Sequence, residues 1–462
     1  MTPGAATASG RSWTAVAPAW AITVAMMAAT LVVGAVSASL ARPLFVIGCL
    51  AVAHLAWRES PASHLRVLIL LFVFAPFLRR ITDLGAGYDP LGLMLVGPLF
   101  ALALPGLRLM TYDNLRELTS ERFGPILVVG VTVLWATLLS MVAGAWNDTA
   151  SGLLKWGAPL IYAATLLVED VDRDEMLSAA ASAFFFVLPV VGIYGILQFV
   201  DPPAWDRYWL QYASIMSAGR PEPFAVRVFS TLNGPASCAT FLATGLLLVG
   251  FLKRGWWLLP VALPAVIALL LTTYRTAWIS LAGAIVYATL FAPTRLRAVG
   301  IILVAVVGGM VALMASPEVA DTLSVRLATF GSVGQDVSAL ERLEQFVLLW
   351  SRAEDHLIGG GFATVDVGAA GTMAIDGMLI ACWTMMGLVG GLVCLSGFLW
   401  AILRALPLPS AGLSRGRIVT GGLMVGALVQ LPLANIGAAE LGFLFWTFAT
   451  LAVCRGAPEA VA

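Results

Sequence analysis

The chain has 462 residues, of which 60% are hydrophobic and only 11% charged, and its mean hydropathy is +0.93. That composition excludes an ordinary soluble globular protein and implies an integral membrane protein. Its 26 Lys and Arg balance 26 Asp and Glu, so no global charge draws it to nucleic acid, and electrostatic work depends on where charges cluster. Cys49, Cys238, Cys382, Cys394 and Cys454 lie far apart, as do His54, His64 and His356. This spacing supports neither a metal site nor a disulfide framework, and no cofactor is expected.

A membrane span needs about 20 apolar residues, because every backbone group must be bonded within its own helix. Met1 to Trp13 carries only Arg11 and shows no small-residue cleavage site, so the first span is expected to be retained. In chain order the apolar runs predict helices over 17–40, 43–57, 64–78, 90–107, 124–146, 152–168, 176–200, 234–252, 255–274, 276–294, 298–317, 377–403, 418–440 and 441–454. The expectation is an all-α polytopic protein of 12–14 transmembrane helices. The first group fills 1–200, the second 234–317 and the third 377–462. Two long loops, 201–233 and 318–376, separate them.

Loop charge sets orientation. With the N-terminus inside, alternate loops on the cytoplasmic side hold Arg11, Arg58, Arg66, Arg108, Arg116, Arg122, Arg173, Lys253, Arg254, Arg295, Arg297, Arg404, Arg415, Arg417 and Arg455. The short loops opposite hold Arg42, Arg79, Arg80, Lys155 and Arg275, a bias of fifteen to five. Both termini are therefore expected to be cytoplasmic and both long loops to lie on the outer face.

The first long loop reads Asp201-Pro-Pro-Ala-Trp-Asp-Arg-Tyr-Trp209, then Gly219-Arg220-Pro221, then Arg227-Val-Phe-Ser-Thr-Leu-Asn-Gly-Pro235. Trp205, Tyr208, Trp209 and Tyr212 suit either sugar stacking or an aromatic belt at the headgroup level. Arg220 adds a cation for substrate. In the second loop Leu340, Leu343, Phe346, Val347 and Trp350 fall at helical spacing behind a Ser338-Ala-Leu-Glu341 capping box, which predicts an amphipathic helix along the membrane surface. Gly359-Gly-Gly361 follows as a hinge.

Arg275 is the sharpest signal, the one charge in the forty residues from Gly255 to Thr294. An arginine at a membrane boundary is costly unless it meets an anion, either a lipid phosphate to which it snorkels or a bound diphosphate that its planar fork fits. Asp376, at the start of a span, fits a partly desolvated base and equally a helix N-cap. Glu440, after Asn435-Ile-Gly-Ala-Ala, is a reserve carboxylate.

The order Arg227-Val-Phe-Ser-Thr-Leu-Asn-Gly-Pro, Thr272-Thr-Tyr-Arg-Thr-Ala-Trp278, Asp336-Val-Ser-Ala-Leu-Glu-Arg342, Gly359-Gly-Gly-Phe362, and Asp376-Gly-Met-Leu ahead of Gly387-Leu-Val-Gly390 resembles the O-antigen ligase and polymerase family of bacterial surface-polysaccharide enzymes. The resemblance covers roughly residues 180 to 455. It implies an inner-membrane glycosyltransferase that uses an undecaprenyl-diphosphate-linked oligosaccharide without a metal, with a chain-length regulator and a flippase as partners beside the membrane lipids. Its arginines would be Arg227, Arg275 and Arg342. Ligases of the family carry His-Asn where this chain has Asp376-Gly377, which favours a polymerase over a ligase. A different class, a lipid-linked oligosaccharide transporter, is expected to show discontinuous helices with ionisable groups at mid-membrane depth and repeat symmetry. The sequence gives no sign of either.

Overall fold

A computed structural model describes residues 17–213, 216–315, 317–328, 357–362, 377–407 and 413–456, with positions 344, 346, 347, 350 and 351 between them. The chain is 81% helical with no strands among the described residues. Each predicted apolar run holds one helix. They are α1 (Ala19–Val36), α2 (Ala38–Glu59), α3 (Pro61–Ala86), α4 (Leu93–Ala103), α6 (Gly124–Val142), α7 (Trp146–Val168), α8 (Arg173–Val200), α10 (Pro235–Leu252), α11 (Leu258–Leu271), α12 (Arg275–Thr289), α13 (Ala292–Ala315), α15 (Met378–Ala405), α16 (Arg415–Gln430) and α17 (Ala439–Val453). Short helices α5 (Tyr112–Glu117), α9 (Ala204–Tyr212) and α14 (Pro317–Ala328) lie between them.

Ten of the described helices are long and apolar enough to cross a bilayer, and α11 and α17 are shorter apolar helices. The chain is a multi-pass membrane protein. Local chemistry fixes several starts. Ser60 Oγ accepts from Ser63 N ahead of Pro61, Asp172 Oδ1 accepts from Glu175 N, and Ser414 Oγ accepts from Arg417 N. The spans α3 and α10 are the most enclosed, whereas α13 is the least, with 17% of its apolar window buried. The core is continuous across the bundle, with α3 packed on α1, α2, α4, α8 and α9, and α8 packed on α10 and α11.

Several boundaries differ from expectation, among them the starts of α7 and α13 and the end of α16, and two of the differences, in α2 and α3, bear on charge. Helix α2 begins before Pro43 and carries Arg42, and α3 runs past Leu78 to take in Arg79, Arg80 and Asp83. Arg42, Arg79 and Arg80, expected in short outer loops, are therefore helical, as is Lys155 within α7, and Arg79 and Arg80 are buried. The long loops are also structured: 201–233 holds α9, and 318–376 begins within α14. Most of the expected amphipathic helix lies outside the described residues. Of its members Glu344, Phe346, Val347, Trp350 and Ser351 are helical, and the Phe346 and Trp350 rings meet Trp383 of α15 at 5.9 and 6.0 Å.

Helix α15 is broken. Gly387 sits at φ 79°, ψ 174°, nine residues from its start, or about 14 Å along the axis. The segment 357–362 fills the break: Gly360 N donates to Thr384 O at 2.8 Å, Gly361 N to Met385 O at 2.9 Å, and Leu388 N to Leu357 O at 3.1 Å. Backbone groups freed at membrane depth must be satisfied by protein, and this insert does so. The glycines are required by contact as well as by φ. A Cβ on Gly387 would lie 2.2 Å from Leu357 O, and one on Gly361 2.3 Å from Ser140 Oγ of α6. Phe362 then wedges against Gly152 of α7. Gly359-Gly-Gly361 is thus a packed insert, not the hinge its position after a helix suggests. Discontinuity, expected to be absent, is present. The buried charges Arg79, Arg80 and Asp83 lie in the last two turns of α3 rather than at mid-depth.

Candidate functional site

Loop 201–233 and the connections 87–92, 272–274 and 431–438 meet on one face of the bundle, called here the loop face. The anchor is Arg80, 1% exposed at the end of α3. It ion-pairs with Asp206 of α9 at 2.8 Å, donates to Leu232 O at 2.6 Å and to Ser230 O, and lies over the rings of Phe229 at 4.8 Å and Trp209 at 5.7 Å. Asp206 also accepts from Tyr194 Oη at 2.7 Å and Gln198 Nε2 at 2.6 Å. The amide oxygen of Gln198 accepts from the backbone of Phe229 and Ser230. Segment 228–232 is therefore held from α3, α8 and α9 at once. A buried charge with a buried partner and several directed bonds specifies one geometry, since losing any member strands the others.

That geometry brings two of the sequence motifs together. Val228 N donates to Leu271 O at 3.2 Å, docking the Arg227 segment on the end of α11. The Arg227 guanidinium bonds Thr273 Oγ1 at 2.7 Å, Thr272 O at 3.3 Å, Thr273 O at 3.4 Å and Ser217 O at 3.0 Å. The turn it grips is the one that starts α12 with Arg275, a half-buried residue. These bonds from Arg227 to backbone and to Thr273 fasten that turn to the Arg227 segment.

Backbone strain concentrates on this face, with Asp170 on the opposite one as the exception. Positive φ at residues other than glycine occurs at Asp170, Phe224, Ser230, Thr273 and Ala439 among the described residues. Ser230 is in the Arg227 motif, Thr273 two residues before Arg275, and Ala439 directly before Glu440. A β-branched threonine at φ 51° is a true outlier that costs roughly 1–3 kcal/mol and persists only where surrounding bonds over-determine it.

Glu440 opens α17 on this face, its Oε1 accepting from Ser237 Oγ of α10 at 2.6 Å. Nearby, Thr240 donates to Gln430 at 3.0 Å, tying α10 to α16. Gly377 reaches the same region, since its Cβ direction meets Pro432 O at 2.8 Å in the α16–α17 connection. Asp376 and Arg342 lie outside the described residues.

The aromatic expectation divides. Trp209 is 1% exposed, its ring covered by Arg80 and Phe229, so it is core and offers no open face to a sugar. Trp205 is half-buried, donating to Tyr194 Oη at 2.7 Å. The open ring is Tyr212, 55% exposed, stacked on Tyr88 at 5.7 Å and beside Tyr208 at 4.8 Å. Arg220 is exposed beside the Gly219–Val226 bridge that closes a small hairpin, its backbone N donating to Ala225 O at 3.1 Å.

Arg80, Asp206 and Gln198 were not among the sequence candidates. The available signal was the Arg79-Arg80 pair at the end of a charge-poor helix, where an ionisable residue demands a partner. Arg79 has its own, donating to Asp89 O at 2.5 Å and pairing with Asp83 at 3.3 Å, and Asp83 pairs in turn with Arg42 at 2.8 Å.

The opposite face gathers Arg108, Arg122, Arg173, Lys253, Arg254, Arg297, Arg404, Arg415 and Arg455, tied by pairs such as Arg108–Glu169 at 2.8 Å and Arg122–Asp170 at 3.1 Å. Nine of the fifteen cations assigned together by loop bias thus share one end of the bundle. Comparison of the sequence with family models and with proteins of curated function gives no match to either.

Proposed function

We propose that this protein is a membrane glycosyltransferase that polymerises undecaprenyl-diphosphate-linked repeat units of an O-antigen, capsule or exopolysaccharide at its loop face, which on this reading is periplasmic in a bacterial inner membrane. The observation that carries the reading is the junction of the Arg227 and Arg275 motifs. One arginine holds the strained turn that presents the other at the end of the bundle. The motif order that resembles the ligase and polymerase family supports the same assignment.

The chemistry asked of the site is modest. The acceptor hydroxyl oxygen attacks the anomeric carbon, the bond from that carbon to the diphosphate breaks, and the lipid diphosphate leaves with the electron pair. A carboxylate takes the hydroxyl proton, a role given to Asp376, with Glu440, which opens α17 at the loop face, as reserve. Arg275 stabilises the charge that grows on the departing diphosphate. Arg227 positions Arg275. The exposed Tyr212, backed by Tyr88, supplies a flat face for the glycan.

Deleting the gene and analysing membrane lipids tests the reaction. Accumulation of single lipid-linked repeat units is the expected result. Accumulation of long lipid-linked polymer would instead identify a ligase. A transporter is the second reading, favoured by the break in α15 at Gly387; it predicts repeat units retained on the inner leaflet, inaccessible to reagents added outside.

A further inference from the structure

On the face opposite this site, a cavity of about 760 Å³ opens between α10, α11 and α13. Its walls are apolar, among them Leu246, Val249, Val266 and Val304. Its mouth carries Lys253, Arg254, Arg297 and Arg415, and no Asp or Glu among the described residues lines it. The volume falls in the range of ligand sites, roughly 300–1,000 Å³.

Three further observations say what fits. The groove is bordered by α13, the least enclosed span, so it is open to the hydrocarbon. Trp256 and Trp257 stack at 3.8 Å beside the mouth and are 69% and 57% exposed, which marks the headgroup level. The four cations line one mouth, and burial first, then the charge of Arg66, pushes the Lys253 ammonium below its ordinary pKa. Lys253 donates to Ser182 Oγ at 2.7 Å, and Arg297 caps α10 through Phe251 O, so both are held in place. Arg254 and Arg415 are exposed. One carboxylate, Asp174, lies in the adjoining recess beside Lys253 and Arg415 and pairs with Arg173 at 3.6 Å.

We propose that this groove seats one anionic diacyl phospholipid of the adjoining leaflet, its phosphate among Lys253, Arg254, Arg297 and Arg415 and an acyl chain along α10 and α13. A basic rim over an apolar trough recognises charge and chain together, a combination that neither a soluble phosphate nor a zwitterionic lipid satisfies. The inference does not depend on glycosyl transfer.

The test is native mass spectrometry of the purified full-length protein with added phosphatidylglycerol or phosphatidylcholine of matched chains. Wild type is expected to retain phosphatidylglycerol at least about fivefold more than phosphatidylcholine, a difference near 1 kcal/mol. The double variant Arg254→Gln/Arg415→Gln removes the two cations that hold no helix end, and it should erase that preference. Gly300→Phe fills the trough, since the Cβ direction of Gly300 meets open space, and it should cut retention of the lipid with all four cations intact. Unchanged thermal unfolding before lipid addition shows that each variant is folded. Equal retention of both lipids by wild type, an unchanged preference in the double variant, unchanged retention in Gly300→Phe, or displacement by equimolar glycerol phosphate would each overturn the proposal.

Discussion

Replacing Arg80 by Met keeps the length of an apolar stem in α3 and removes only the guanidinium, so its effect isolates the anchor of the loop face. In the native protein that group faces buried Asp206 at 2.8 Å and bonds Leu232 O and Ser230 O. Removing one partner of a buried pair costs roughly 3–5 kcal/mol, because the remaining charge stays desolvated. Each stranded carbonyl adds up to about 1–3 kcal/mol, partly recovered if water enters. A loss of at least about 4 kcal/mol is therefore expected, concentrated in segment 226–234. Arg80→Lys retains the charge but not the fork, and should lose about half as much. Denaturant unfolding in detergent micelles reads the total, and hydrogen exchange of residues 226–234 reads its location. The double change Arg80→Met/Asp206→Leu should recover much of the loss, since it removes both charges. A cost below 1 kcal/mol for Arg80→Met, with exchange of 226–234 unchanged, would refute the anchoring role.

Gly387→Ala places a Cβ 2.2 Å from Leu357 O at a φ that only glycine adopts freely, and should lower the yield of folded protein severely. Gly130→Ala in α6, whose Cβ meets nothing within 4 Å, should instead gain about 0.5–1 kcal/mol, measured by the same unfolding assay. Glu440→Gln keeps the acceptor for Ser237 Oγ, so folding should hold while glycan transfer stays within a few-fold if Asp376 is the base. A loss of about a hundredfold or more in transfer would move the base to Glu440. Cysteines introduced at the exposed Glu222 and at Gly334 in a background lacking the native thiols should react with a membrane-impermeant maleimide in whole cells, and one at Arg254 should not. The reverse pattern would invert the topology.

How far the sequence could be read depended on whether a feature was local. The helices follow from apolar runs, which each segment carries in itself, so each of the fourteen runs holds a helix, although ten of the described helices, against the 12–14 expected, are long and apolar enough to cross a bilayer. Arg80 was misplaced because a hydropathy window closes at the first charge, and its partner lies on another helix far along the chain. Trp209 was grouped with Trp205, Tyr208 and Tyr212 for sugar stacking or an aromatic belt, although helical spacing already separates it from the exposed pair: Asp206 and Trp209 lie three apart on one face of α9, and Tyr208 and Tyr212 four apart on another. The break in α15 was illegible in principle. Gly387 and Gly359-Gly-Gly361 acquire their meaning only when the backbone of one satisfies the other, and each alone reads as a weak glycine signal.

The most direct measurement of the central claim is glycan transfer by the purified protein in proteoliposomes loaded with undecaprenyl-diphosphate-linked repeat units. Wild type should convert them to longer lipid-linked chains. Arg275→Ala at equal protein level should lose about a hundredfold in rate, near 3 kcal/mol of transition-state stabilisation, with Arg275→Lys recovering only part. Translocation of the repeat units without any lengthening, or lengthening at the wild-type rate by Arg275→Ala, would contradict the account.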